Sequence, residues 1–219
     1  SALCGLLSYH SDRVQNESYL WTAQLRSSVI QILRLIGYEL SPASPAAVNL
    51  TVVTNAGGVL PQGYQVSTEE TADSPEQTFE LISPVVVPGA GTHTVASLAG
   101  LVLYHGAYEL SDVLGNSDGQ PSQEFEFTYD GIAESTMTPI VVRVNAVAWT
   151  RVLNWVNSDP TDAHYKIEID EEGQAKVLFG DGVNGMIPPT AQLVDADYFR
   201  GGGTIGNSVG VGTLTVPSP

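Results

Sequence analysis

At 219 residues the chain suits one large domain or two small ones; a 42% hydrophobic fraction allows a real core, and 22 Gly and 13 Pro fit a turn-rich β protein. The 8 Lys and Arg against 24 Asp and Glu leave a formal charge of −16, a surface that repels phosphate backbones, so no nucleic acid is expected as a partner; the charge serves solubility or meets a partner with a basic face. No apolar run reaches spanning length and no Lys/Arg-led signal peptide opens the sequence, so no membrane insertion is expected.

In chain order, Leu3, Leu6, Leu7, His10 and Val14 follow the i, i+3, i+4 rule and predict a first helix. The pattern restarts near Trp21, with Thr22 as the expected N-cap of a second helix. Leu25, Val29, Ile32, Leu33 and Ile36 line one stripe of it, while Ile30 and Leu35 lie outside the stripe. That apolar surface is wider than a two-helix hairpin can cover. Gly37 is a natural stop, and Pro42 and Pro45 prevent continuation. Residues 1–41 therefore read as a helical hairpin, either folded onto its own β domain or shared with neighbouring chains as an inter-subunit bundle.

Residues 42–219 read as a β-rich domain, with two sub-domains divided near 138–150. Strands are expected at Asn49 to Val53, after Leu60-Pro61-Gln62-Gly63-Tyr64, at Thr78 to Ile82 and at Thr92 to Ala96. Phe125, Phe127 and Tyr129 alternate with polar residues, as do Ile140, Val142 and Val144 with their neighbours. The sharpest alternation comes later: Tyr165, Ile167 and Ile169 form one strand face, Ala175, Val177 and Phe179 the next, joined through Gly173 in a hairpin turn. Short strands punctuated by Gly and Pro indicate antiparallel sandwich or barrel-like sheets, so the fold class is mainly β with an N-terminal α-helical hairpin.

Four motifs invite a chemical reading. Gly115-Asn116-Ser117-Asp118-Gly119 has the spacing of a nucleophile elbow, but Pro121 and a β pattern follow where a helix is required, so a turn is expected and no catalytic residue is assigned. Gly201-Gly202-Gly203-Thr204-Ile205-Gly206-Asn207 lacks the Lys of a phosphate loop, and Val209 to Val216 reads as a strand rather than the helix of a dinucleotide site. Asp181, Asn184 and Asp170, Glu171 and Glu172 offer hard oxygen ligands without the full calcium-loop pattern, and the four His are scattered, so no metal site is assigned. Trp149 and Trp155 flank Arg151, either as a sugar platform or as core or interface anchors. No cofactor and no small-molecule substrate is implied. Cys4 is the single cysteine, so no disulfide forms within the chain, which fits folding in a reducing compartment.

Three blocks, in order, carry a family resemblance. The first is SYHSDRVQNESYLWTAQLRSSVIQILRLIGYEL; the second is Gly115-x-Ser117-x-Gly119-x-Pro121-x-Gln123-x-Phe125; the third runs from Trp149 through Phe179-Gly180-Asp181-Gly182 to Tyr198-Phe199-Arg200-Gly201-Gly202-Gly203. Together they resemble the bacteriophage baseplate J-like family, the baseplate assembly proteins of contractile tails and related injection systems. Phe199 departs from the family's Tyr-Arg-x-Gly-Gly-Gly loop by insertion. The resemblance implies a non-enzymatic structural subunit of the baseplate wedge, located in the virion tail and assembled in the host cytoplasm. Its partners would be other baseplate proteins, including further copies of itself. The implied interface residues are Leu25, Val29, Ile30, Ile32, Leu33, Leu35 and Ile36 on the helix, with Trp149 and Trp155. Family members continue beyond the final strand, so this chain is expected to be a fragment, a protein whose remainder is disordered, or a short version. The rival is a β-sandwich carbohydrate-binding adhesin or tail-fibre module, which accounts for the strands, acidity and Trp pair but not for the helices.

Overall fold

The computed structural model describes residues 11–35, 37–38, 42–71, 75–98, 100–169, 174–201 and 203–218. The protein is mainly β, with largely antiparallel sheets and a short helical region at its N-terminus. The chain divides into two compact units. One comprises Ser1–Ser41, Gln120–Glu126 and Thr150–Ile187; the other comprises Pro42–Gly119, Phe127–Trp149 and Pro188–Pro219.

In the first unit, residues 11–17 are helical and a second helix spans Arg26–Leu35. Thr22 is not its N-cap: the Thr22 hydroxyl donates to the Asn16 carbonyl at 2.6 Å, inside the connection. The capping acceptor is Glu17, whose carboxylate receives the backbone N–H groups of Gln24 and Leu25, each at 3.1 Å. At the other end the Tyr38 N–H returns to the Leu33 carbonyl at 2.9 Å, the six-to-one bond of a Schellman stop, as Gly37 led one to expect. Leu3, Leu6, Leu7, His10 and Ile36 lie outside the described residues.

The same unit holds a four-stranded sheet ordered Glu124–Glu126, Ala175–Phe179, His164–Ile169 and Thr150–Arg151; the first three are antiparallel and the last pair parallel. Tyr165, Ile167, Ala175, Val177 and Phe179 are buried, as their alternation requires, and Phe125 meets Phe179 edge-on with ring centres 5.7 Å apart. Lys166, on the polar register, is buried as well; its ammonium reaches Glu168 at 2.8 Å. The hairpin turn at Gly173 and the acids 170–172 lie outside the described residues.

The second unit is built on a five-stranded antiparallel sheet, in the order Ala47–Asn49, Val102–His105, Thr78–Leu81, Gln65–Thr68 and Leu214–Ser218. Val66, Phe79, Leu81, Val85, Leu101 and Leu103 form its core. Two short ribbons, Val52–Thr54 with Gly91–His93 and Gly58–Leu60 with Val85–Val87, contribute Val52, Leu60 and Val85 to that core. A further sheet centres on Leu193–Arg200, which pairs with Val141–Val144, Ile132–Ala133 and the ten-residue strand Ala107–Asn116. Phe127 packs edge-on against Tyr198 with centres 4.8 Å apart. The expected strand through Phe125, Phe127 and Tyr129 therefore ends at Glu126, where the chain passes from one unit to the other. The expected single strand Asn49 to Val53 is two, Ala47–Asn49 and Val52–Thr54. Residues 203–208 form a 3-10 turn, and the last strand begins only at Leu214.

Candidate assembly surface

The helical segment carries a run of exposed apolar side chains. Val14, Tyr19, Leu20, Leu25 and Tyr38 are exposed, Leu35 is 87% accessible and Trp21 90%. A tryptophan so uncovered in a chain with a sizeable core marks a surface that another molecule covers more often than it marks decoration. Arg13, Val14, Glu17, Ser18, Leu25 and Ser28 line a groove in this segment. Partial desolvation pushes the Glu17 carboxyl up, but bonds from Ser28, Leu25 and Gln24 and the charge of Arg13 outweigh it and hold the group below its ordinary value. Glu17 thus stays ionised and fixes the junction from which Tyr19, Leu20 and Trp21 project.

The residues singled out on the second helix separate. Leu25 and Leu35 are exposed, Val29, Ile32 and Leu33 half-buried, and Ile30, which falls outside the expected stripe, is only 7% accessible. Ile30 therefore packs within the chain, and the available apolar area lies on Leu25 and Leu35. Trp149 is buried too, its backbone N–H bonded to Val142 at 2.9 Å, so it anchors the second unit from inside and presents no stacking face. Trp155 is half-buried in the first unit, where a Cβ on Gly185 would lie 3.1 Å from its ring. Sequence reasoning used Trp21 only to mark where the helical pattern restarts; the run Tyr19-Leu20-Trp21, falling between the two expected helices, was the available signal for an uncovered aromatic.

The Gly-rich motifs are turns. The Ser117 hydroxyl donates to the Pro189 carbonyl and accepts the Gln192 N–H at 3.0 Å, and its backbone exchanges bonds with Gln192 and Ala191 at 2.8 and 2.7 Å. Ser117 is buried in this clasp. In Phe179-Gly180-Asp181-Gly182, Asp181 Oδ1 accepts the N–H groups of Val183 at 2.8 Å and Asn184 at 2.6 Å. Those bonds lower the Asp181 pKa. Gly182 has φ +85°, whereas Gly180 is required by close approach: a Cβ there would sit 2.3 Å from the Gly185 carbonyl group. Among the described residues, no group of three or more His, Cys, Asp or Glu side chains is placed to hold a metal ion, and no helix is long and apolar enough to cross a membrane.

Arg143 ties the central strands of the second unit together. Its Nε donates to Asp195 Oδ2 at 2.8 Å and its Nη1 to Asp197 Oδ2 at 2.7 Å, while Asp197 Oδ1 also accepts the Ser111 N–H at 2.7 Å. The bonds from Arg143 lower the Asp197 pKa against the opposing effect of burial. This is a cross-strand brace, fully engaged within the fold.

No curated protein matches the chain. Residues 1–35 match the family described as bacteriophage baseplate protein, N-terminal domain. The matched segment carries Trp21, Leu25 and Leu35. By this match the N-terminal segment is similar to bacteriophage baseplate proteins, which supports a structural role in a phage baseplate, as a virion tail component associated with other baseplate components.

Proposed function

We propose that the chain is a wedge subunit of a contractile-tail baseplate, of the J-like kind, and that it works as a scaffold without catalysing a reaction. The helical segment is its assembly surface: Trp21, Leu25 and Leu35 dock on neighbouring baseplate chains, further copies of itself among them, during assembly in the host cytoplasm. The observation that carries this reading is the coincidence of two independent facts. The residues that match baseplate proteins are also those that leave a tryptophan, Trp21, almost wholly uncovered. Burial of such aromatics concentrates interface energy. Exchange between alternative packings at that docking surface transmits contraction.

Replacing Trp21 and Leu35 together by Ser tests it. The variant should keep the wild-type circular dichroism and melting profile, yet be missing from purified tails. Normal incorporation of a folded double variant would refute the docking role of the segment.

A further inference from the structure

A buried histidine of the second unit sits beneath the turn that leads toward the last strand. His105 ends the strand Val102–His105, is 6% accessible, and tilts its ring against Phe79 with centres 5.1 Å apart. The surrounding hydrogen bonds fix its proton. Gln77 Nε2 donates to the carbonyls of Pro75 and Glu76 at 3.1 and 2.9 Å, so Gln77 turns its carbonyl oxygen toward the ring. His105 Nε2 therefore carries the hydrogen, donated to Gln77 Oε1 at 2.9 Å, and Nδ1 is the bare nitrogen of a neutral imidazole. Nδ1 has no hydrogen-bond partner among the described residues. Gly206, buried in the 3-10 turn Gly203–Ser208, lies against that side of the ring: a Cβ on it would be 2.6 Å from Nδ1 and 2.5 Å from Cγ.

A second proton on this ring finds nothing to receive it. The stretch 201–219 carries no titratable side chain, and neither does Gln65–Thr68, the strand that pairs with Leu214–Ser218. Glu80 follows Phe79 on one strand and so points to the opposite face of the sheet, where it accepts Gln65 Nε2 at 3.0 Å. Asp130 and Arg200 border an open cavity together with Gln77 and His105, and Arg200 is bonded to Glu109. None of these groups bonds to Nδ1. Protonation thus sets an unsatisfied N–H against Gly206, a cost that opening the turn removes by admitting water. Burial accordingly lowers the His105 pKa. The segment beyond the turn is lightly held. Leu214–Ser218 is an outer strand of its sheet, its register shifts between Leu214 and Val216, and Pro217 has no N–H to give. Val209 and Leu214 pack on the core only as half-buried side chains.

We propose that this contact is an acid-sensitive clasp: protonation of His105 at Nδ1 lifts the turn Gly203–Ser208 and, with it, the strand Leu214–Ser218. Release bares the edge of Gln65–Thr68, a row of backbone groups open to pairing with another strand. The open form takes up its proton near the ordinary 6.5 and the closed form only at lower pH. Acid therefore favours opening across that interval, by up to about tenfold for each pH unit. The clasp is separate from the helical surface, and neither depends on the other.

Hydrogen exchange of the full chain, read by mass spectrometry between pH 7.5 and 5.5 and referred at each pH to the rate of the unfolded chain, tests the proposal. In wild type, protection over 203–216 should be lower than over Val141–Val144 at every pH, which marks a local opening. It should fall below the ordinary histidine value by about threefold to tenfold for each pH unit. In His105→Gln the same stretch should show no such dependence on pH. Should that variant fail to fold, the titration of the His105 ring in wild type, followed by NMR of labelled histidine, must coincide with the loss of protection. The proposal is overturned if protection over 203–216 is independent of pH, or if His105→Gln loses it as wild type does. It is overturned equally if both stretches share one protection, which marks unfolding of the whole chain, or if the ring titrates while protection holds.

Discussion

A Cβ on Gly119 would lie 2.1 Å from the Thr190 hydroxyl oxygen, and Gly119 itself has φ +76°. The two residues close the clasp in which Ser117 bonds to Pro189 and Gln192, so the Gly-x-Ser-x-Gly run and the Pro188-Pro189 turn form one structure. Gly119→Ala meets both a steric clash and a left-handed backbone. It should cost about 1–3 kcal/mol in urea unfolding. A variant as stable as wild type would mean the clasp yields without strain.

The Asp181 turn should respond similarly for a different reason. At Gly182 a Cβ would sit 2.9 Å from Ile187 Cδ1 on a backbone of φ +85°. Gly182→Val should lower stability by roughly 1–3 kcal/mol. Gly180→Ala, which meets backbone rather than a movable side chain, should be at least as damaging. Thermal melts of the two variants, side by side, check the order.

These turns also show where the sequence was readable. Period-two alternation located Tyr165, Ile167, Val177 and Phe179, because each strand buries one face against its own unit. The ten-residue strand Ala107–Asn116 went unread. Its register shifts against Leu193–Arg200, and Ser111 has φ +52°, so bulges break the alternation that would have announced it. The crossing between units at Glu126 was equally hidden: Phe125 and Phe127 continue one alternating pattern but pack on different partners, Phe179 and Tyr198. On the second helix, apolar spacing found the residues but not which of them the fold covers, since Ile30 is buried and Leu35 exposed only through tertiary packing.

Acid should weaken the second unit through His105. The ring is buried against Phe79, its Nε2 lies 2.9 Å from Gln77 Oε1, and its Nδ1 has no partner. Burial lowers its pKa from the ordinary 6.5. The unfolded chain therefore takes up a proton that the folded chain refuses. Stability present at neutral pH is lost as pH falls through the ordinary value and on down to the lowered folded one. Glu80, whose pKa burial raises, acts in the opposite sense. The check is thus the difference between wild type and His105→Gln: unfolding midpoints should fall less steeply for the variant between pH 7.5 and 5.5. Parallel pH profiles would remove His105 from the account.

Removing Arg143 leaves Asp195, which is buried, and Asp197, which is half-buried, unneutralised two residues apart on one strand. Arg143→Met should cost about 3 kcal/mol, and adding Asp197→Asn should recover part of it by removing the stranded charge. Urea denaturation of the single and double variants measures both.

The central claim is that the helical segment joins this chain to others in a baseplate. A photoreactive phenylalanine analogue at position 21, irradiated in assembled tails and read by mass spectrometry, tests it most directly. The account predicts a crosslink from position 21 to a neighbouring baseplate chain or to a second copy. Tails that contain the folded variant and yield only crosslinks within the chain would contradict it.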